Sequence, residues 1–332
     1  MATPVHPSIP AHHGQSRRRA IVHALPLLLA ASMALAANRG QQSFSTPEAG
    51  VAALVEAVSG NDQARLLAIL GPGAKDLVDS GDEAADRQSR EVFVKTYNEA
   101  HRIVLDSAAH ATLEIGTDRW PFPIPVVKAA SGWYFDTQEG EEEILARRIG
   151  RDELAAIQAC RTIVAAERQF PARSGQGGPL SQYTARFLSS PGQRDGLYWE
   201  DRPGQPPSLI DAQLAAAGIE AGPAIQGAAP APLPRQPYSG YFFRILTAQG
   251  EHAPGGARNY EAAGKLTGGF AVLAFPERYR VSGVMSFIAG QDGAVYEKDA
   301  GSDTAAVAAR MTAFDPDAGW KKVAQAPAPP AR

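Results

Sequence analysis

The chain has 332 residues, 44% apolar and 20% charged, enough material for one large or two ordinary globular domains and too apolar for a disordered chain. Lys and Arg number 32 against 35 Asp and Glu, so there is no basic surplus to neutralise a phosphate backbone, and nucleic acid is not an expected partner. One cysteine excludes an internal disulfide framework and any multi-thiolate metal site.

Arg17, Arg18 and Arg19 precede an uncharged run from Ala20 to Ala37 that holds Leu25, Leu27, Leu28 and Leu29 and ends in Ala34-Leu35-Ala36. A positive stretch, a short apolar stretch and small residues at the −3 and −1 positions describe a secretory signal, residues 1–36, with cleavage expected after Ala36 or Ala37. Its dense apolar part, Ala24 to Ala36, is shorter than the roughly 20 residues that span a bilayer as a helix. The expected location is therefore periplasmic or secreted, with no stable membrane span after cleavage. Two alternatives stay open: an uncleaved N-terminal anchor, and a twin-arginine route suggested by Ser16-Arg17-Arg18. No cysteine stands at the cleavage point to carry a lipid. Of the histidines, His101, His110 and His252 would remain for metal or acid–base work.

Thr46-Pro47-Glu48 is a helix start: a capping hydroxyl, a proline where its missing N–H costs nothing, and an acid at the positive end of the dipole. Val51, Leu54, Val55 and Val58 then repeat with helical spacing up to Gly60. A second helix is expected from about Asp62 to Leu70, and a third from about Ala84 to His101 with Val92, Phe93 and Tyr97 inward. Beyond it the period falls to two. Leu113, Ile115, Ile124, Val126 and Trp133-Tyr134-Phe135 alternate as half-buried strands, with turns at Gly116 and Ser131-Gly132. Residues 44–138 thus form an α+β unit of helices on a short antiparallel sheet, an arrangement similar to the nuclear-transport-factor-2-like cone.

A second part, residues 139–320, opens with a long helix to about Phe170. Glu141, Glu142 and Glu143 serve its dipole, and Leu154, Ile157, Cys160 and Val164 form its apolar stripe, with Cys160 as a buried small side chain. Residues 181–190 and 208–217 suit short helices, and residues 221–237, rich in Ala and Pro, suit an irregular connection. Four strands then follow, at 241–247, 269–275, 282–289 and 294–298, as an antiparallel meander, with Asp292-Gly293 as a tight turn. A long helix before such a sheet resembles the head of type IV pilins and pseudopilins, although here about 140 residues precede the helix where a pilin would begin. Residues 321–332 are expected to form a disordered Pro/Ala tail.

Five stretches together resemble a family of exported bacterial proteins catalogued as domain of unknown function 2950: Gly132 to Thr137, Arg147 to Arg151 with the helix after it, Phe187 to Gly192, Gly240 to Thr247, and Gln291-Asp292-Gly293 with its flanking strands. The likeness covers roughly residues 44–320. It implies export and overall length, and no activity or catalytic residues.

Reaction motifs do not emerge. There is no G-x-S-x-G elbow, no phosphate loop around Gly264-Lys265, and no H-E-x-x-H or C-x-x-C, and nothing calls for a cofactor. Asp292, Asp299 and Asp303 are candidate calcium ligands, although Asp292 equally suits a hairpin and Asp303 a helix cap. Trp120-Pro121-Phe122-Pro123 is an edge strand or polyproline segment, because alternating prolines remove ladder donors. With the aromatic cluster around Tyr241 and Phe243, Trp120 and Phe122 form the candidate ligand or partner surface. The expected function is a non-enzymatic binding module of the cell envelope, its partner an envelope protein or a small ligand. The alternatives are a hydrolase of an envelope polymer using acids such as Asp136 and Glu139, and an accessory protein of a pilus or secretion apparatus. A pocket of convergent ionisable groups would favour the hydrolase, and an exposed aromatic or apolar patch would favour partner binding.

Overall fold

A computed structural model describes residues 40–174, 182–219 and 236–324. The expected leader, the stretch around Gly175–Gly178, most of the Ala/Pro connection and residues 325–332 of the expected tail lie outside the described residues. The protein is α+β, with seven helices and several antiparallel sheets among the described residues. It divides into two compact units at Gly140/Glu141.

The first unit begins with α1 (Pro47–Ser59), capped by Thr46, whose hydroxyl accepts from the Ala49 N–H at 3.2 Å. α2 (Gln63–Leu70) is capped likewise by Asp62. A one-turn helix, α3 (Lys75–Val78), and α4 (Glu83–Glu99) follow. The sheet runs β1 (His101–Ser107), β2 (His110–Ile115), β4 (Val126–Ala129), β5 (Gly132–Phe135), all antiparallel, with β3 (Trp120–Pro121) added to β2 on the side away from β1. Val51, Leu54 and Ile69 from the helices meet Leu113, Val126 and Phe135 from the sheet, each no more than 2% exposed. At Gly132, φ is +121° and a Cβ would lie 2.5 Å from the Phe44 carbonyl oxygen, so only glycine lets the entering chain bridge to β5.

Two expectations are corrected here. The third helix stops at Glu99, and His101–Ser107 is a strand. It hides from a period-two reading because it lies at the sheet's edge with both faces largely wet. Val92 faces solvent at 57% exposure, whereas Phe93 and Tyr97 pack against the core, Phe93 with its ring 5.4 Å from that of Phe122.

In the second unit α5 (Thr137–Arg173) begins a turn earlier than expected, because Asp136 accepts from the Glu139 N–H at 3.1 Å and caps it. Its buried stripe contains Ile157, Cys160 and Val164 with Ala156, Ile163, Phe170 and the acid Glu167, flanked by the half-buried Glu153, while Leu154 is 68% exposed. Three of the four expected stripe residues, Ile157, Cys160 and Val164, are thus in the core, and only Leu154 lies outside it. Residues 183–188 carry extended bridges instead of a helix, and only Ala212–Ala216 (α6) is helical in the 208–217 stretch.

The main sheet has the order β15-β13-β12-β11-β6, from β6 (Tyr241–Leu246), β11 (Ala271–Pro276), β12 (Met285–Ala289), β13 (Val295–Asp299) and β15 (Lys321–Lys322). β6, β11, β12 and β13 form the expected antiparallel meander. The strand at Lys321–Lys322 falls where the tail was expected to start, and pairs with Tyr296 and Glu297. Short pairs complete the unit: β7 (Ala248–Gln249) with β8 (Arg258–Asn259), β9 (Glu261–Ala262) with β10 (Lys265–Leu266), and β14 (Ala313–Phe314) parallel to β7. Tyr241, Phe243 and Phe287 point to the α5 side, where the Glu153 carboxylate accepts from the N–H groups of Val284 and Met285 at 2.9 and 3.0 Å. Tyr241 and Phe243 are 0% exposed and therefore belong to the core, not to a partner surface. Among the described residues no helix is long and apolar enough to cross a membrane.

Candidate functional site

The opposite face of the meander holds the candidate site. Alternation along the strands puts Leu273, Ser286, Ile288 and Lys298 on one face. α7 (Thr304–Arg310) lies across that face. Arg244, reaching up from β6, fixes it there by donating to the carbonyls of Ala308, Ala309 and, at 2.6 Å, Met311, the carbonyls that end the helix. The chain then returns as β14 and a turn to Trp320. A cavity of about 200 Å³ remains, floored by Leu273, Ile288, Val307 and Met311 and rimmed by Ser286, Lys298, Asp315, Asp317 and Trp320.

The rim carries both signs of charge. The Lys298 ammonium is 3.9 Å from Asp317 Oδ1 and lies over the Trp320 ring, 5.7 Å from its centroid. Asp317 is oriented by the Gly319 N–H at 2.7 Å. Asp315 Oδ1 accepts from the His252 N–H at 2.9 Å and stands 3.0 Å from the His252 ring Nδ1. Ser286 is cross-strand to Lys298, yet the ammonium turns to Asp317 and Trp320, and no hydrogen bond joins it to the serine hydroxyl. The arrangement can hold a small molecule with separated charges above an apolar body. It does not bring a base onto the hydroxyl, which nucleophilic chemistry requires.

In the first unit His110 is held between two carboxylates, with Nδ1 3.0 Å from Asp106 Oδ2 and Nε2 3.3 Å from Glu139 Oε1. Asp106 also accepts from the Thr112 hydroxyl at 2.7 Å. Partial burial works to lower the imidazole pKa, but the two acids outweigh it and raise the value above that of a free histidine. The Thr112 hydroxyl and His110 hold Asp106 below the usual carboxylate range. Asp136 is the α5 cap and Glu139 the partner of His110, so the two acids weighed for a hydrolase are engaged in separate structural tasks. An open groove of about 630 Å³ on the helical side is lined in part by Asn61, Arg87, Arg90, Glu91 and Lys95.

The remaining expected residues are scattered. Trp120 is 48% exposed on the short edge strand, while Phe122 is half-buried against Phe93. Asp292 accepts from the Ala294 N–H at 3.0 Å and shapes its hairpin; Asp299 accepts from Gly301 N–H at 2.8 Å and from the Tyr279 hydroxyl at 3.2 Å. Asp303 precedes α7 but its side chain makes no cap bond; the Thr304 hydroxyl instead donates to the Gly301 carbonyl. Asp292 and Asp299 therefore serve separate turns, and no group of His, Cys, Asp or Glu among the described residues could hold a metal ion. Asp315, Asp317 and Trp320 escaped the sequence reading because they form no motif; their one signal is an acid-rich turn, Asp315-Pro316-Asp317, between two short strands.

A family model described as a protein of unknown function, DUF2950, matches residues 41–323. No curated protein and no solved structure matches the chain.

Proposed function

The chain belongs to the DUF2950 family, and from that premise and the geometry of the second unit we propose that it is an exported, periplasmic binding module without catalytic activity, whose ligand is a small zwitterion with an apolar body, such as an amino acid or a peptide end. The observation that carries this reading is the meeting of Lys298, Asp315, Asp317 and Trp320 at the mouth of an apolar-floored cavity. A ligand carboxylate would take Lys298 from its loose 3.9 Å contact with Asp317, and a ligand ammonium would take the carboxylates. The cavity is smaller than the roughly 300–1,000 Å³ of drug-sized sites, so the occupant is small. Export rests on the leader text from Arg17 to Ala37.

Isothermal titration of the purified protein with leucine, methionine and alanyl-leucine tests the reading. Binding that weakens at least tenfold in both K298M and D317N supports it, and absence of heat with every probe at millimolar concentration refutes it. N-terminal sequencing of protein from the periplasmic fraction tests export, which predicts a first residue just after Ala36 or Ala37.

A second reading, a hydrolase of an envelope polymer, would need a base on the Ser286 hydroxyl, and its cross-strand neighbour Lys298 is turned to Asp317 and Trp320 instead. Turnover of peptidoglycan by the wild type and its loss in S286A would select it. The third, an accessory role in a pilus or secretion apparatus, draws on the long α5 lying along an antiparallel meander, the pilin-like arrangement.

A further inference from the structure

The outer edge of β1 carries a self-complementary sequence. Among the described residues β1 pairs with β2 alone, and β2 takes β3 and β4 on its other side. The Gly116 N–H donates to the Ala100 carbonyl at 2.8 Å, which sets the alternation of the antiparallel ladder. Arg102 and Val104 therefore turn their backbone groups toward β2, opposite Glu114 and Thr112. His101, Ile103 and Leu105 turn theirs outward.

We infer that this edge is a homodimer interface, in which β1 pairs antiparallel with β1 of a second copy across a two-fold axis at Val104. Three observations converge on a second copy as the occupant. In that register the strand His101-Arg102-Ile103-Val104-Leu105-Asp106-Ser107 reads as its own complement: Arg102 meets Asp106 of the other copy, Ile103 meets Leu105, and Val104 meets itself. Backbone alternation agrees, because Ile103 and Leu105, the outward-facing residues, become the pairs that exchange both N–H and C=O bonds, and Val104 becomes a close non-hydrogen-bonded pair. The charged groups are also still available. Asp106 uses Oδ2 for both Thr112 and His110, leaving Oδ1, and Arg102 uses Nε for Glu114 at 2.6 Å, leaving its terminal nitrogens.

The exposure pattern points the same way. Leu105 is 62% exposed, a large apolar side chain on an open edge, where single chains ordinarily place a lysine or proline as protection. The β-bulge between Leu105 and Ser107 comes only after the central pairs. A contiguous surface of this kind follows the isologous rule, the same patch serving both copies.

Sedimentation equilibrium of the purified protein across the micromolar range reads the association directly. The wild type is expected to show a monomer–dimer equilibrium. Val104 lies on the polar face opposite Thr112 and is half-buried, so the fold accepts a charge there, checked by unchanged circular dichroism. V104K and V104E are each expected to stay monomeric, since like charges meet at the axis, and an equimolar mixture is expected to dimerise again. V104C is expected to form an intermolecular disulfide on oxidation, because Cα atoms of a non-hydrogen-bonded pair are about 4.5 Å apart. A wild type that is monomeric throughout, or a dimer that V104K leaves intact, overturns the inference.

Discussion

Glu167 accepts a hydrogen bond from the Thr184 N–H at 3.1 Å through one carboxyl oxygen, while its other oxygen is buried with no partner among the described residues. The side chain is 0% exposed. Burial raises its pKa well above the ordinary carboxylate value, and the single backbone donor recovers only part of that cost. Folding of the second unit therefore favours the protonated form of this acid.

A raised folded-state pKa makes stability fall as pH rises. Below the unfolded value, near 4.5, both states hold the proton and Glu167 adds no slope. Above it the unfolded chain releases the proton and the folded one does not, so unfolding gains up to about 1.4 kcal/mol per pH unit until the folded value is passed. Thermal melts at pH 5 and pH 8 should show a smaller drop for E167Q than for the wild type, because glutamine has no proton to lose.

Glu153 is a half-buried acid of α5, and it is satisfied by two N–H groups at the start of β12. E153A leaves those donors without their acceptor and should lower the unfolding free energy by about 1–3 kcal/mol in urea, with E153Q losing less.

Cys160 is fully buried, and burial pushes its thiol up to about 12, with Arg161 opposing only weakly. It should resist a thiol reagent at pH 8 in the native protein and react at the rate of unfolding once denaturant is added. Fast labelling without denaturant would show that the α5 packing opens locally.

His110 should titrate above 6.5 when followed by its ring proton resonances, and D106N and E139Q should each lower the midpoint. Because the folded value is raised, the contact stabilises the first unit below the unfolded histidine pKa and its contribution is lost as pH rises through the folded one.

Local chemistry made much of the fold legible. Thr46-Pro47 announces α1, Asp292-Gly293 announces the β12–β13 hairpin with Gly293 at φ +81°, and the meander follows from its alternation. The apolar stripe of α5 was legible at Ile157, Cys160 and Val164, and its one wrong residue, Leu154, has a physical cause. A reading that assigns acids to water passes over Glu153 and Glu167 and puts the apolar Leu154 in the place that the half-buried Glu153 beside it takes. β1 was hidden because Ile103-Val104-Leu105 are consecutive and apolar, with no alternation to mark a strand. The rim of the cavity was hidden because Lys298, Asp315, Asp317 and Trp320 become neighbours only when the sheet forms.

The central claim, that the meander's α7 face is a ligand site, is tested most directly by the indole N–H resonance of Trp320 during a titration with leucine. The account predicts a saturable shift of that resonance and of the amides of Ala308 and Met311, abolished in D317N. Resonances that stay in place up to millimolar leucine, methionine and alanyl-leucine would contradict it.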